Sequence, residues 1–339
     1  MTSVYGKIQN LITAANTVTG ESDTTLTDAV QTLVDGYGQG GGYTATEVVS
    51  RAAPAGAVVV SGVTSIDDYA LYGRNSMTAF TGSDVTTVKK SAFEWCEYIT
   101  TVNLPVCTSV GNNAFSSAKR LVSCSIPNAT TIGDGCFNGC SALQSINLAS
   151  ATTIGSGAFR NASAGGLIAS PITLNDSAFR DTSNMNIGFF PRLTTINGSY
   201  ALAGTYNVSK GSTVTAFVAP ALTTVSNNRD FLSFNSALVA VDLGSPSRLH
   251  NTSFDSNTAM ETLILRTSTV TPLNNINAFN NTPFASGKTG GTLYVPSALI
   301  SSYQSASNWS TILGYADNSI QAIEGSYYET HYADGTVIE

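Results

Sequence analysis

TVNLPVCTSVGNNAFSSAKRL (101–121), SCSIPNATTIGDGCFNGCSAL (123–143) and SINLASATTIGSGAFRN (145–161) are successive versions of one pattern. Each is built around a short L-x-x-I-x-I strand: Ile99, Val102 and Leu104, then Leu121, Cys124 and Ile126, then Leu143, Ile146 and Leu148. Alternate residues of a strand share a face, so each set supplies apolar side chains to one side. A turn then leads to a second apolar element that ends in a small residue and Phe: Ala92-Phe93, Ala114-Phe115, Cys136-Phe137, Ala158-Phe159 and Ala178-Phe179.

Working outward, one apolar position recurs at Ile66, Val88, Val110, Ile132, Ile154, Leu174, Ile196, Val225, Leu249 and Leu273, in steps of 22, 22, 22, 22, 20, 22, 29, 24 and 24. A period of this length marks a repeat array, in which no single coil can bury its own apolar face. Stacking places identical positions of neighbouring coils ~4.8 Å apart. The expectation is a solenoid of about ten coils with internal ladders of Ile, Leu and Phe. Because such an array is quasi-one-dimensional, the 339-residue length says little about domain number.

The run Ile132-Gly133-Asp134-Gly135-Cys136-Phe137-Asn138-Gly139-Cys140-Ser141-Ala142-Leu143 resembles the BspA-like leucine-rich repeats, nearly position for position. The family pattern is roughly L-T-S-I-x-I-P-x-x-V-T-S-I-G-x-x-A-F-x-G-C-S-x-L. The resemblance implies a leucine-rich-repeat solenoid, β-rich, with short strands stacked as parallel ladders. It covers about three quarters of the chain and departs at Gly165 to Pro171 and between Ile196 and Leu249, where insertions are expected to bulge from the stack.

The expected organisation is a helical attachment segment at 1–36, a Gly-rich linker at 37–43, the solenoid at 44–296 and a closing helix and hairpin at 297–339. Val4, Ile8, Leu11 and Ile12 fall at helical spacing, as do Leu26, Val30, Leu33 and Val34. Two short amphipathic helices cannot bury both stripes alone. They should pack on each other, on a copy of themselves as a homo-oligomer, or on a host assembly. Gly36, Gly38 and Gly41 formally match G-x-G-x-x-G, but they follow a helix and open nothing helical, so a joint is the better reading. Residues 297–309 read as a short helix, and Ile320 to Glu339 as a hairpin turning at Asp334-Gly335. Such a cap would cover the apolar end of the stack.

Only 11% of residues are charged and the net charge is −7, so no basic stripe is available for a phosphate backbone, and nucleic-acid binding is not expected. Apolar runs such as Ala57 to Val60 are too short to span a bilayer, so membrane insertion is not expected either. Met1 to Asn16 carries one Lys and no apolar run of signal-peptide length, which reads as no Sec signal. The surface must be made of Ser, Thr, Asn and Gly, a composition that fits an extracellular or virion setting.

The 5 cysteines lie in neighbouring coils, so a disulfide or metal cluster comes first to mind. Alignment argues against both. Cys124 aligns with Val102 and Ile146, Cys136 with Ala114 and Ala158, and Cys107 with Ala129 and Ala151, all small core positions. Cys96 and Cys140 are equivalent but two coils apart, about 10 Å, which is beyond disulfide reach. His250 and His331 have no ligand-like neighbours at metal-binding spacing. No G-x-S-x-G or H-E-x-x-H pattern occurs. Asp67 and Asp68 point to opposite faces if extended, and Asp134, Asp176 and Asp230 fall in repeat turns, where Asp supports local hydrogen bonding. Neither catalytic activity, a metal nor a cofactor is expected.

Aromatic residues outside the core ladder are the better lead, because a rigid ring beside hydroxyls and amides suits carbohydrate and protein recognition. The candidates are Trp95, Tyr98, Tyr200 and Tyr206, with Asn227, Asn228 and Arg229 in the long coil. Thr19 to Gly38 (TGESDTTLTDAVQTLVDGYG) is similar to the amino-terminal segments of tail and fibre proteins from phages of gut bacteria. That resemblance implies a virion protein, attached to other tail proteins through residues 1–36 and contacting a host-cell glycan or protein through the solenoid. A bacterial cell-surface adhesin of the BspA type, or a decoration protein without a host ligand, would use the same repeats.

Overall fold

The computed structural model describes residues 56–164, 167–169, 171–184, 187–204, 214–226 and 230–323. All lie in the second of two compact units, Pro54–Glu339. The expected amino-terminal helices, the glycine joint and the Asp334-Gly335 turn lie outside the described residues, as do parts of both insertions.

The described chain is a solenoid of short parallel strands. One ladder contains Gly56–Val60, Met77–Gly82, Thr101–Asn103, Ser123–Ser125, Ser145–Leu148 and Leu167–Ala169. A second, of 8 strands, runs from Ser65–Ile66 to Thr224–Ser226. A third takes over the role of the first with Ile187–Phe189, Ala216–Ala219, Ala240–Leu243, Thr262–Leu265, Thr292–Val295 and Ser319–Ala322.

The register follows from the repeat. Ile66, Val88, Val110, Ile132, Ile154, Leu174, Ile196 and Val225 pair in succession down the second ladder, and Leu249 bridges Leu273. All of these side chains are buried. The preceding threonines hold the coils together from outside: the Oγ1 of Thr86, Thr108, Thr130 and Thr152 each donates to the Thr carbonyl of the previous coil, at 3.0–3.3 Å. The same hydroxyl stripe is therefore both solvated surface and inter-coil bond.

Inside, the Phe of each small-Phe pair forms a continuous stack. Phe93, Phe115, Phe137, Phe159 and Phe179 follow one another at centroid distances of 5.0–5.3 Å, with planes 5–16° apart. The stack tilts where Leu202 occupies the Phe position, and Phe217 from its strand and Phe190, just past Ile187–Phe189, continue the run of rings. At the far end Trp309 packs on Phe279 (5.8 Å) and on Tyr303 (5.3 Å), and its Nε1 donates to the Thr271 carbonyl at 2.7 Å. Two short helices, α1 (Ile300–Ser305) and α2 (Trp309–Leu313), carry these rings. The parallel ladder nevertheless runs past Pro296, because Ser319–Ala322 lies in register on Thr292–Val295.

Candidate functional site

The turn between the second strand and the next first strand forms a third face, and backbone geometry defines it. In each regular coil two positions adopt the left-handed conformation. The earlier one is occupied by Tyr69, Ser91, Asn113, Gly135, Gly157, Ser177 and Tyr200 in successive coils. The later one is occupied by Gly73, Trp95, Ser117, Gly139, Asn161 and Asp181. Except at Tyr200, the amide N–H of these residues donates to a carbonyl of the next coil, for example Trp95 to Ser116 at 2.9 Å and Ser117 to Asn138 at 2.7 Å. Gly, Asn, Asp and Ser tolerate this conformation best, whereas a bulky ring there is an outlier. Tyr69 (φ 58°), Trp95 (φ 62°) and Tyr200 (φ 60°) are such outliers.

Trp95 and Tyr98 project from this face, 42% and 44% exposed. In the preceding coil Tyr69 and Tyr72 are 50% and 51% exposed, with ring centroids 6.0 Å apart. Cations from the following coil lie against these rings: Lys90 Nζ is 5.7 Å from the Tyr69 centroid, Lys119 Nζ 5.5 Å from Trp95 and Arg120 Cζ 4.3 Å from Tyr98. Lys119 also pairs with Glu97 at 2.7 Å, and Lys89 with Asp67 at 2.7 Å. Hydrogen bonding to the Tyr69 hydroxyl holds the Lys90 ammonium above its ordinary value.

Of the sequence candidates, Trp95 and Tyr98 thus share one ridge. Tyr200 occupies the column of Tyr69 but several coils away, with Arg180 Cζ 4.5 Å from its ring. Tyr206, Asn227, Asn228 and Arg229 lie outside the described residues. Tyr69 and Tyr72 were missed from sequence. The signal was present in the 22-residue alignment, which sets Tyr69 over Ser91 and Asn113, a ring in a column of turn residues.

The polar groups behave differently from a converging site. Asp134 and Asp176 accept from backbone N–H groups of the next coil, Ser156 at 2.7 Å and Ser199 at 2.6 Å, and Asp176 also accepts locally from the Ser177 hydroxyl at 3.0 Å. Asp68 does the same for Lys90 at 2.9 Å. All 5 cysteines are free and buried. Burial pushes the Cys96 thiol up to about 11 and Cys140 to about 12, each still donating to a backbone carbonyl, Leu71 at 2.9 Å and Phe115 at 3.1 Å. Among the described residues no group of three or more His, Cys, Asp or Glu is placed to hold a metal ion, and no helix is long and apolar enough to cross a membrane.

A solenoid of parallel strands with an internal Phe stack and hydroxyl-lined outer rungs is a leucine-rich-repeat architecture. Residues 64–186 match the family model described as BspA type Leucine rich repeat region, in 6 copies. Among solved structures, the chain is similar to a leucine rich repeat protein of T. pallidum, with 24% identity, TM-score 0.36, and coverage of 44% of this chain and 76% of that one. It is also similar to a leucine rich cell surface protein of Faecalibacterium prausnitzii A2-165 (16% identity, TM-score 0.37, covering 84% and 82%). A leucine-rich repeat protein of Bacteroides ovatus ATCC 8483 matches at 14% identity and TM-score 0.34, covering 79% and 92%. No curated protein matches the sequence.

Proposed function

We propose that this chain is a non-enzymatic binding protein, a tail-associated adhesin or receptor-binding protein of a bacteriophage that presents its leucine-rich-repeat surface to a host-cell glycan or protein. The observation that supports a binding role most directly is the ridge of Tyr69, Tyr72, Trp95 and Tyr98, exposed rings on a rigid repeat face. Protein cores take up aromatics, and a group of them left in water marks a contact surface. The virion setting rests on the resemblance of Thr19 to Gly38 to phage tail and fibre segments and on the Ser, Thr and Asn outer rungs. In this reading residues 1–36 attach the chain to other tail proteins and the solenoid meets the host, without metal or cofactor.

Immunogold electron microscopy of native particles, paired with binding of the full chain to intact bacteria, tests this. Label on phage tails together with cell binding is expected, and deletion of residues 1–36 should abolish incorporation while leaving cell binding intact. Label on the bacterial envelope instead would identify a BspA-type surface adhesin. Label on particles without cell binding would identify a decoration protein.

A further inference from the structure

We infer that the first two described coils carry a binding ridge for a neutral saccharide, on which Tyr69, Tyr72, Trp95 and Tyr98 stack against pyranose rings while Lys90 and Glu94, with Arg120 from the third coil, hydrogen-bond the hydroxyls. This deepens the binding reading above and rests on it.

Exposure comes first. Among the described residues the large apolar side chains left exposed are Tyr69, Tyr72, Trp95 and Tyr98, together with Val59, Val106 and Val239. Single exposed valines need no explanation. The aromatics, by contrast, all fall between residues 69 and 98, on one face of adjacent coils.

Backbone conformation adds to this. Tyr69 and Trp95 hold left-handed positions that other coils give to Ser91, Gly135, Gly139 or Asn161. A bulky residue there costs on the order of 1–3 kcal/mol, and a ring half in water recovers little of that by burial. Tyr200 and Phe234 also hold left-handed positions but are partly buried, so it is the combination of this conformation with exposure at Tyr69 and Trp95 that points to a contact.

The charges select the ligand class. The turns around the ridge hold Arg74, Lys89, Lys90, Lys119 and Arg120 against Asp67, Asp68, Glu94 and Glu97, with Lys89 paired to Asp67 and Lys119 to Glu97, so the strip is close to balanced. A balanced strip does not favour an anionic ligand. Protein–protein interfaces are depleted of charge at their centres, yet here three of the four rings, Tyr69, Trp95 and Tyr98, have a cation 4.3–5.7 Å from their centroids. A neutral saccharide fits both facts: its C–H faces lie on rings, and its hydroxyls take up donors and acceptors alike.

The test uses the full chain and gut bacterial cells that it binds, either untreated, oxidised with periodate to cleave vicinal diols, or shaved with protease. Trp95→Ser and Tyr98→Ser are the variants, since Ser117 already occupies the Trp95 column. Circular dichroism and thermal melting first verify that each variant folds as the parent does. Binding should vanish after periodate, persist after protease, and weaken at least tenfold in either variant. Released neutral polysaccharide should shift the tryptophan emission, because Trp309 is buried and Trp95 is the exposed one of the 2 tryptophans. Loss of binding only after protease, or full binding by both folded variants, would overturn the saccharide assignment while leaving a binding protein. Failure to bind any cell would remove the binding role itself.

Discussion

Phe115 and Phe137 stack with ring centroids 5.3 Å apart and planes 7° from parallel, in the middle of a column where every ring has a ring above and below. Coils contribute to stability through their neighbours, so a ring in mid-column serves two interfaces. Phe137→Ala is expected to cost ~3–5 kcal/mol from the lost burial and the cavity left behind. Phe80 is as well buried but, among the described residues, meets a ring only on the Phe93 side, edge-on at 4.9 Å. Phe80→Ala should therefore cost less. Urea unfolding of both variants decides it, and equal costs would contradict a column held by nearest neighbours.

Gly133 contributes by being absent. A methyl group there would come 2.4 Å from the Gly111 carbonyl carbon and 2.5 Å from the Asn112 nitrogen, and one on Gly155 would come 2.6 Å from the Gly133 carbonyl carbon. These glycines allow backbones of successive coils to approach. Gly157 differs: its φ is +60° and only the Arg160 Cβ lies near, at 3.9 Å, so conformation rather than space constrains it. Gly133→Ala should destabilise by ~1–3 kcal/mol through overpacking, and Gly157→Ala by about 1 kcal/mol through the left-handed backbone. Thermal melts of the pair would show whether Gly133 is the more sensitive site.

Much of this was legible because stacking turns sequence period directly into register. Aligning Ile66 through Val225 by period is the same operation as pairing them, and the Cys124 column of Val102 and Ile146 follows from it. What the period does not encode is which face a loop residue meets. Trp95 and Tyr98 could be chosen as rings outside the Phe column, but that Tyr69 and Tyr72 of the preceding coil are left exposed on the same face shows only in the fold. Asp134 reads from sequence as a residue of local turn bonding, because spacing alone does not show that its carboxylate faces the Ser156 N–H of the next coil. The strand at Ser319–Ala322 was read as part of a hairpin because α1 and α2 interrupt the repeat before the last parallel rung.

The thiols should report the integrity of the stack. Alkylation at pH 8 is expected to leave all 5 cysteines unmodified in the folded protein and to label all of them in denaturant, read by intact mass. Because burial raises Cys96 from 9.0 to about 11, its contribution to stability is present below about pH 9 and is lost as the pH rises through about 11. Cys96→Ser keeps a donor for the Leu71 carbonyl and should flatten that alkaline decline at a modest cost, ~1 kcal/mol. Rapid labelling of the native protein would indicate that the coils open locally.

Asp242 and Arg266 form a buried, pH-dependent contact. Asp242 is fully buried in its strand, paired in register with Val218 and Ile264, and takes two hydrogen bonds from the guanidinium, at 2.9 and 2.8 Å. Burial nevertheless outweighs the pairing and holds its carboxyl above the usual value of 3.8. A carboxyl raised on folding binds its proton more tightly in the native state, so its favourable contribution is complete below 3.8 and is lost as the pH climbs through the folded value. Removing the cation should exaggerate this. Arg266→Met leaves a buried carboxylate without its ionic partner, expected to cost ~3–5 kcal/mol at pH 7. The same variant should recover much of that loss near pH 4, where Asp242 takes up a proton instead of carrying charge. Asp242→Asn combined with Arg266→Met should show almost no such pH dependence. Urea unfolding at pH 4 and pH 7 for the parent, the single and the double variant provides the measurement. A single variant equally destabilised at both pH values would mean that Arg266 acts through its packing and not through its charge.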